Sequence, residues 1–162
     1  MKDSADGDEF NAQGLGNMDS LHIFYLPNSP VLPKQELSSS ALIELNGNHW
    51  RKILTIVAKL MCADKDWRTY RDKQLLDEVG FFFGDYLVKK KSRQHYICGK
   101  SHWLTLQKEP ITDQDVSCDD ANKAWLLKDS KDIASRIMLL PYPDYRQFNN
   151  RLIDLIKKEY IN

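Results

Sequence analysis

The sequence has little of what identifies a disulfide-rich, metal-binding or membrane protein. Its three cysteines, Cys62, Cys98 and Cys118, are odd in number and show no CxxC spacing, which argues against a disulfide framework and against a structural zinc site. No apolar run reaches the roughly 18 residues of a membrane span. The N-terminal stretch lacks the apolar segment of a secretory signal. We therefore expect a cytoplasmic protein with no membrane partner.

The charge balance gives no support for nucleic acid as a general partner. Lysine and arginine number 23, aspartate and glutamate number 23, and the net charge is zero. Proteins that bind nucleic acid through the phosphate backbone present a basic surface, which this composition does not require. Local basic patches stay open. The hydrophobic fraction of 42% is typical of a globular domain.

Signatures of catalysis are missing as well. The four histidines show neither HxxxH nor HExxH spacing, and no GxSxG motif is present. Gly99–Lys100–Ser101 matches the end of a phosphate-binding P-loop, but Gln94 stands where that motif needs its first glycine. We assign no catalytic residue, no metal and no cofactor. The sequence favours a binding protein over an enzyme.

The chain divides into two predicted regions. Residues 1–19 are acidic and contain three glycines, which predicts a flexible tail. Residues 20–162 have the length of one ordinary domain. We therefore predict an acidic N-terminal tail followed by a single α/β domain.

The clearest helix signal lies between residues 46 and 76. Apolar side chains recur at helical period from Trp50 to Met61, and Asn48 is placed to cap this helix. A second helix follows, with Asp64 or Asp66 as its cap. This helix pair is expected to cover a sheet.

Short apolar runs bounded by turn residues predict strands. They are Leu21–Leu26, Gln94–Gly99, Ala124–Leu127 and Ile137–Leu140. Ser101 can cap a short helix, and Asp144 with Gln147 resembles a capping box for the last one. The run Phe81–Phe83 fits either a strand or a helix. Strands that alternate with helices predict a three-layer α/β sandwich, in which helices flank a small, mostly parallel sheet of about four strands.

In such a sheet, ligands bind beyond the carboxyl ends of the strands. Three polar turns follow predicted strands, and we expect them to meet at one edge. A small anion or a nucleotide is the expected ligand, with Tyr142 or Trp103 stacking on it. The ligand-binding candidates are Asn28, Ser29, Lys100, Ser101, Trp103, Tyr142, Asp144 and Arg146. A second tier comprises Asn48, His49 and Arg71.

An alternative function uses a different surface. Trp67, Tyr70 and Arg71 share a helical face, and an aromatic and arginine patch can anchor a partner protein. The protein would then be an interaction or regulatory module. The opposing interpretation is that Trp67 belongs to the core, since tryptophans are usually largely buried.

Several motifs together resemble a small bacterial protein family of unknown function. The resemblance extends over most of the chain and implies no activity. It rests on YLPNSP (25–30), LNGNHWRKI (45–53), WRTYRDKQLL (67–76), the Gly99–Lys100 turn and PYPDYRQFNN (141–150).

The order of elements also resembles the uracil-DNA glycosylase-like superfamily. The turns at 27–30, 97–100 and 140–146 would fill the roles of that superfamily's three active-site turns. The first turn has Asn28 and Ser29 where the superfamily has a catalytic acid, and Tyr142 stands in place of its histidine. The resemblance therefore implies a degenerate or divergent glycosylase-like protein as a further alternative.

Overall fold

The computed structural model describes residues 13–88, 93–106, 114–116, 122–127 and 136–161. Within these residues the chain forms a seven-stranded mixed sheet and six α-helices. The strands are β1 (Gly14–Gly16), β2 (His22–Tyr25), β3 (Gly80–Phe82), β4 (Gln94–Cys98), β5 (Gln114–Asp115), β6 (Trp125–Leu126) and β7 (Arg136–Leu140). The helices are α1 (Ser39–Asn46), α2 (Asn48–Met61), α3 (Trp67–Lys73), α4 (Leu75–Glu78), α5 (Lys100–Leu106) and α6 (Asn150–Ile156), which continues into a π-helical turn at Lys157–Ile161.

The sheet has the strand order β1-β3-β2-β4-β7-β6-β5. Its centre is parallel, because β2 pairs in parallel with β3 and β4, and β4 pairs in parallel with β7. The short strands β1, β5 and β6 are antiparallel to their neighbours. The α/β class is confirmed. The predicted number of about four strands is too low, because it omits β1 and β5 and leaves the run that forms β3 unassigned.

One face of the sheet is covered by most of the helices. Along α2 the side chains of Trp50, Ile53, Leu54, Val57 and Leu60 are all buried. They pack in one apolar cluster with sheet residues that include Phe24, Phe81 and Tyr96. Burial of a large apolar side chain contributes about 1.5–3 kcal/mol, so this interface is a main source of stability.

The opposite face carries a smaller apolar cluster. Ile23, Tyr25, Ile97 and Leu139 point to this side, where Trp103 of α5 packs against them. Helices therefore lie on both faces of the sheet within the described part of the chain. None of the described helices is long and apolar enough to cross a membrane.

One predicted helix cap is confirmed, because the Asp66 side chain caps α3. Ser38 caps α1 in the same way. The predicted cap Ser101 is wrong, because it lies inside α5. Asn48 is not a cap, because Gly47 occupies that position with φ of 73° and the chain turns there without a side-chain bond. The Asp144 capping box does not start α6, because residues 144–148 form a turn and Asn149 caps the helix instead.

Part of the stretch 1–19, predicted as a tail, belongs to the sheet. Gly14–Gly16 forms β1, which pairs with β3, and the first twelve residues lie outside the described part of the chain. The ambiguity at Phe81–Phe83 is resolved in favour of a strand, since β3 spans Gly80–Phe82.

Candidate functional site

The carboxyl ends of three adjacent strands meet at one edge of the sheet. β2, β4 and β7 are parallel neighbours, with Tyr25 opposite Ile97 and Cys98 opposite Leu140. The turns that follow these strands start at Pro27, Gly99 and Pro141. We call this side the carboxyl edge. It brings together the three turns that the sequence nominated.

The turns after β4 and β7 are in direct contact. Gly99 has φ of 98°, a conformation that favours glycine, and its N–H donates to the Leu140 carbonyl at 2.9 Å. A Cβ atom at Gly99 would lie 3.4 Å from Cδ1 of Tyr142. The Tyr142 ring therefore lies over the Gly99 turn.

Trp103 bridges the ends of β4 and β7 through hydrogen bonds. Its indole Nε1–H donates to the Ile97 carbonyl at 2.9 Å and to the Leu140 carbonyl at 2.8 Å, and the side chain is buried. Because the ring is buried, it offers little surface on which a ligand could stack. Trp103 is therefore a supporting residue of the carboxyl edge.

Tyr142 also connects the carboxyl edge to the start of α2. Its hydroxyl lies 2.5 Å from His49 Nε2, and the two rings stack with centroids 5.6 Å apart. Burial raises the pKa of Tyr142 to about 12, so the phenol keeps its proton at neutral pH. His49, a second-tier candidate from sequence, thus belongs to the edge.

The first turn of α2 adds positive groups to this edge. A 14-residue helix carries partial positive charge on its unpaired N-terminal N–H groups, and α2 has no side-chain cap. Arg51 reaches back to Asn48 Oδ1 at 2.9 Å. Lys52 Nζ lies 5.7 Å from the centre of the Tyr145 ring in the turn after β7.

The remaining candidates lie on the outside of the turns. Asn28, Ser29, Lys100, Ser101 and Arg146 are all exposed. Within the described part of the chain the side chains of Asn28, Lys100 and Arg146 have no hydrogen-bond or ion-pair partner. Polar groups exposed in this way are open to solutes.

Asp144 is the acidic residue of the turn after β7. It is half-buried, and its Oδ1 accepts the Arg146 backbone N–H at 3.1 Å. The carboxylate is therefore partly occupied in shaping the turn.

The patch proposed for a partner protein is not formed as predicted. Tyr70 is buried and its hydroxyl donates to Glu78 Oε1 at 2.9 Å, while burial raises its pKa. Arg71 pairs with Asp72 and donates to Thr55 Oγ1 at 3.1 Å. Thr55 lies about 9 Å along the axis of α2 from His49, so Arg71 is not part of the carboxyl edge.

The Trp67 side chain is partly exposed to solvent. The ring is half-buried, with Lys59 Nζ at 5.1 Å, Arg68 Cζ at 4.5 Å and Arg71 Cζ at 5.5 Å from its centre. These cations cover the ring, which leaves less apolar surface for a partner than the sequence suggests.

The amino ends of the same strands form a very different environment. We call the group of His22, Arg93, Gln94, Tyr96 and Arg136 the amino-end cluster. The Arg93 guanidinium donates to the carbonyls of Met18 and Ser20. Arg136 donates to Gln94 Oε1 at 2.8 Å and to the Tyr160 carbonyl at 2.7 Å. His22 Nδ1 lies 2.9 Å from the Tyr96 hydroxyl.

The histidines of the strands have structural partners. His95 Nδ1 lies 2.7 Å from the Tyr25 hydroxyl, and burial, with a smaller effect of Arg93, lowers the pKa of His95 to about 4. Burial also lowers the pKa of His22 and of His102. In the described residues, no group of three His, Cys, Asp or Glu side chains is arranged to hold a metal ion.

The sequence ranked His49 only as a second-tier candidate and did not predict its contact with Tyr142. The contact between His49 and Tyr142 joins positions 93 residues apart. No local pattern signals such a pair. The available signal was indirect: both residues flank predicted elements whose ends had to meet at the sheet edge.

Comparison with known proteins gives one family assignment. The model described as "Family of unknown function (DUF6942)" matches residues 13–160. No curated protein matches the chain. No solved structure matches it either, so the resemblance to the uracil-DNA glycosylase-like superfamily receives no support.

Proposed function

The chain belongs to this family of unknown function, and we propose that it binds a small anionic ligand of nucleotide type at the carboxyl edge. The ligand would lie in the crevice between the ends of β2 and β4. The residues that we assign to it come from the turns after these strands and from the neighbouring turn after β7.

The observation that carries the proposal is a reversal in the chain connections. From β2 the chain passes through α1–α4 to β3 on one side, and from β4 it passes through α5 and on to β7 on the other side. The connections therefore diverge between β2 and β4. In open parallel sheets, this reversal leaves a crevice beyond the strand ends, and ligands bind there.

The side chains around this crevice suit an anion. Lys100 from the turn after β4 and Arg146 from the turn after β7 are exposed cations. The start of α2 supplies Arg51, Lys52 and the helix dipole, and the His49–Tyr142 contact holds it at the edge. Asp144 is the acidic residue of these turns, and its Oδ1 accepts the Arg146 backbone N–H. Because α5 has only seven residues, Lys100 contributes by its own charge and not as part of a helix N-terminus.

A nucleotide needs more than charge. Asn28 offers an amide, and Ser29 and Ser101 offer hydroxyls, so each can donate and accept hydrogen bonds with a base or sugar. Tyr142 presents an aromatic ring beside them and takes the stacking role that buried Trp103 cannot take.

The test is a thermal-shift titration with inorganic phosphate, nucleoside monophosphates, nucleoside triphosphates and free nucleobases. A ligand present at ten times its Kd stabilises the folded state by about 1.4 kcal/mol, which raises Tm by roughly 3–6 °C in a chain of this size. We expect a shift with at least one phosphate-containing compound, and none with the free bases.

A matched pair of variants locates the site. Lys100→Ala is expected to remove most of the shift, while Lys73→Ala, the same change at an exposed position on α3, keeps it. If no compound raises Tm at millimolar concentration, or if both variants respond equally, the proposal is wrong.

A further inference from the structure

The edge strand β1 has one paired side and one open side. Towards β3, the Phe83 N–H donates to the Gln13 carbonyl at 2.7 Å and the Asn17 N–H donates to the Val79 carbonyl at 2.9 Å. Leu15, opposite Phe81, continues this alternation. Because the backbone of a strand alternates in direction, the N–H and C=O groups of Gly14 and Gly16 point away from β3. No strand in the described part of the chain pairs with that side.

A groove runs along this open side. Its volume is about 750 Å³, within the range of cavities that hold organic ligands. Gly14 and Gly16 line it together with the apolar side chains of Leu32 and Leu37 and with Lys34. The open backbone groups and the apolar wall therefore belong to one surface.

The sequence of this edge does not block strand addition. Charged residues and proline are among the features that normally protect an exposed edge. The sequence of β1 is Gly-Leu-Gly, which contains no charge and no proline.

We propose that β1 is a docking site for an extended peptide segment of a partner protein. The peptide adds a strand to the sheet through the N–H and C=O groups of Gly14 and Gly16. An apolar side chain of the peptide enters the groove against Leu32 and Leu37. A carboxylate on the peptide pairs with Lys34, the charged residue of the groove lining.

A second copy of this chain is a poorer occupant than a peptide. β1 has three residues, so pairing of two copies through β1 offers a very short ladder. Stable interfaces bury about 1,200–2,000 Å² in total, far more than two such strands can supply. The glycines of a second copy would also bring no side chain to fill the groove. A peptide pairs with the same three residues, but it brings side chains of its own that fill the groove.

The experiment uses the full chain labelled with ¹⁵N and a series of blocked eight-residue peptides. The peptides alternate valine and threonine, with one aspartate moved through the positions, and a second series carries lysine in place of aspartate. We expect saturable shifts and slower hydrogen exchange at the Gly14 and Gly16 amides, and unchanged Gly47 and Gly99 amides. The aspartate series should bind about tenfold more tightly than the lysine series.

Backbone methylation separates strand pairing from apolar adhesion. N-methyl groups on alternate residues of the best peptide remove its ladder donors and leave its side chains intact. Only one of the two alternating patterns removes the N–H groups that face β1. We expect this pattern to lower the affinity of the peptide at least about tenfold. Equal affinity of all methylated forms would overturn the proposal.

Two matched pairs of substitutions test the groove. Leu37→Asp places a charge in the lining and should weaken binding, whereas Val31→Asp changes a neighbouring side chain that is exposed and outside the lining. Lys34→Glu should reverse the preference between the two peptide series, and Lys65→Glu, at an exposed position elsewhere, should leave it unchanged.

Three further results would contradict a peptide site at β1. One is that no peptide shifts Gly14 and Gly16 at millimolar concentration. Another is that Leu37→Asp and Val31→Asp bind alike. The third is that these two amides shift with protein concentration alone while sedimentation shows a dimer, which would identify a second copy as the occupant.

Discussion

Polar residues at the two ends of the parallel strands differ in burial and in hydrogen bonding. In the amino-end cluster, Arg93, Gln94 and Tyr96 are buried, and the guanidinium groups donate to carbonyl and amide oxygens. At the carboxyl edge, Lys100 and Arg146 are exposed and have no partner in the described residues. A buried polar group is retained when its hydrogen bonds are satisfied within the fold, because losing them is costly. The amino end therefore stabilises the sheet, whereas the polar side chains of the carboxyl edge face solvent.

The largest effect is expected where a buried cation is removed. Arg93→Met deprives the Met18 and Ser20 carbonyls of their donor and should lower the free energy of unfolding by about 3 kcal/mol. Arg146→Met, the same substitution at the carboxyl edge, should change it by less than about 0.5 kcal/mol. Urea unfolding of both variants measures the difference. Similar losses in the two would remove the contrast between the strand ends.

Acid should destabilise the fold through the strand histidines. The pKa of His95 is lowered to about 4 in the folded state, whereas an unfolded histidine titrates near 6.5. The unfolded chain therefore binds a proton first, and stability is lost as the pH falls from about 6.5 towards 4. The expected loss at pH 4.5 is about 2.5 kcal/mol from His95.

Substitution of His95 isolates this contribution. His95→Gln should flatten the dependence of unfolding free energy on pH between 7 and 4.5, measured by urea unfolding against the unsubstituted chain. Carboxylates contribute to both proteins, so their effect cancels in the comparison. A pH dependence identical in the two proteins would show that His95 titrates normally.

A smaller effect is expected for the indole that joins β4 and β7. Trp103→Phe removes the donor shared by the Ile97 and Leu140 carbonyls and should cost about 2 kcal/mol. Thermal unfolding should show Tm lower by roughly 4–8 °C. Phe is also smaller than Trp, so Leu104→Ala, a change at an exposed position of the same helix, serves as the control for the helix itself. An unchanged Tm for Trp103→Phe would mean that the two strand ends do not need this donor.

The smallest effect concerns the contact between α2 and the turn after β7. Tyr142→Phe and His49→Ala each remove one side of the 2.5 Å hydrogen bond. A double-mutant cycle on unfolding free energies should give a coupling of about 1 kcal/mol, since Tyr142 is only half-buried and His49 is exposed. Strictly additive effects would indicate that the helix start is held at the edge by packing alone.

The strands and helices with strong local patterns were predictable from the sequence. β2, β4 and β7 are apolar runs bounded by turn residues, and α2 has a regular apolar stripe. Their alternation also gave the correct expectation that three turns meet at one edge. These features depend on residues close together in the chain, so a single sequence contains the information.

Features that depend on distant partners were not predictable. β1 consists of Gly-Leu-Gly, which has low strand propensity, and it is a strand because β3 lies beside it. Tyr70 is buried because its ring packs in the main apolar cluster while Glu78 accepts its hydroxyl, although its helix position alone allows exposure. Asp144 has the spacing of a helix cap from Gln147. Its carboxylate instead accepts the Arg146 N–H in the turn after β7, and the helix starts later, at Asn150.

The position of β2 has a consequence for synthesis on the ribosome. Both of its ladder partners, β3 and β4, lie later in the chain, starting at Gly80 and Gln94. Translation at roughly 5–20 residues per second leaves an interval on the order of 3–11 s between the emergence of Tyr25 and that of Gly80. Throughout this time the apolar strand has neither of its neighbours. Nascent chains are thus exposed to aggregation at β2 until the second half of the protein arrives, and a chaperone that binds apolar segments would act there.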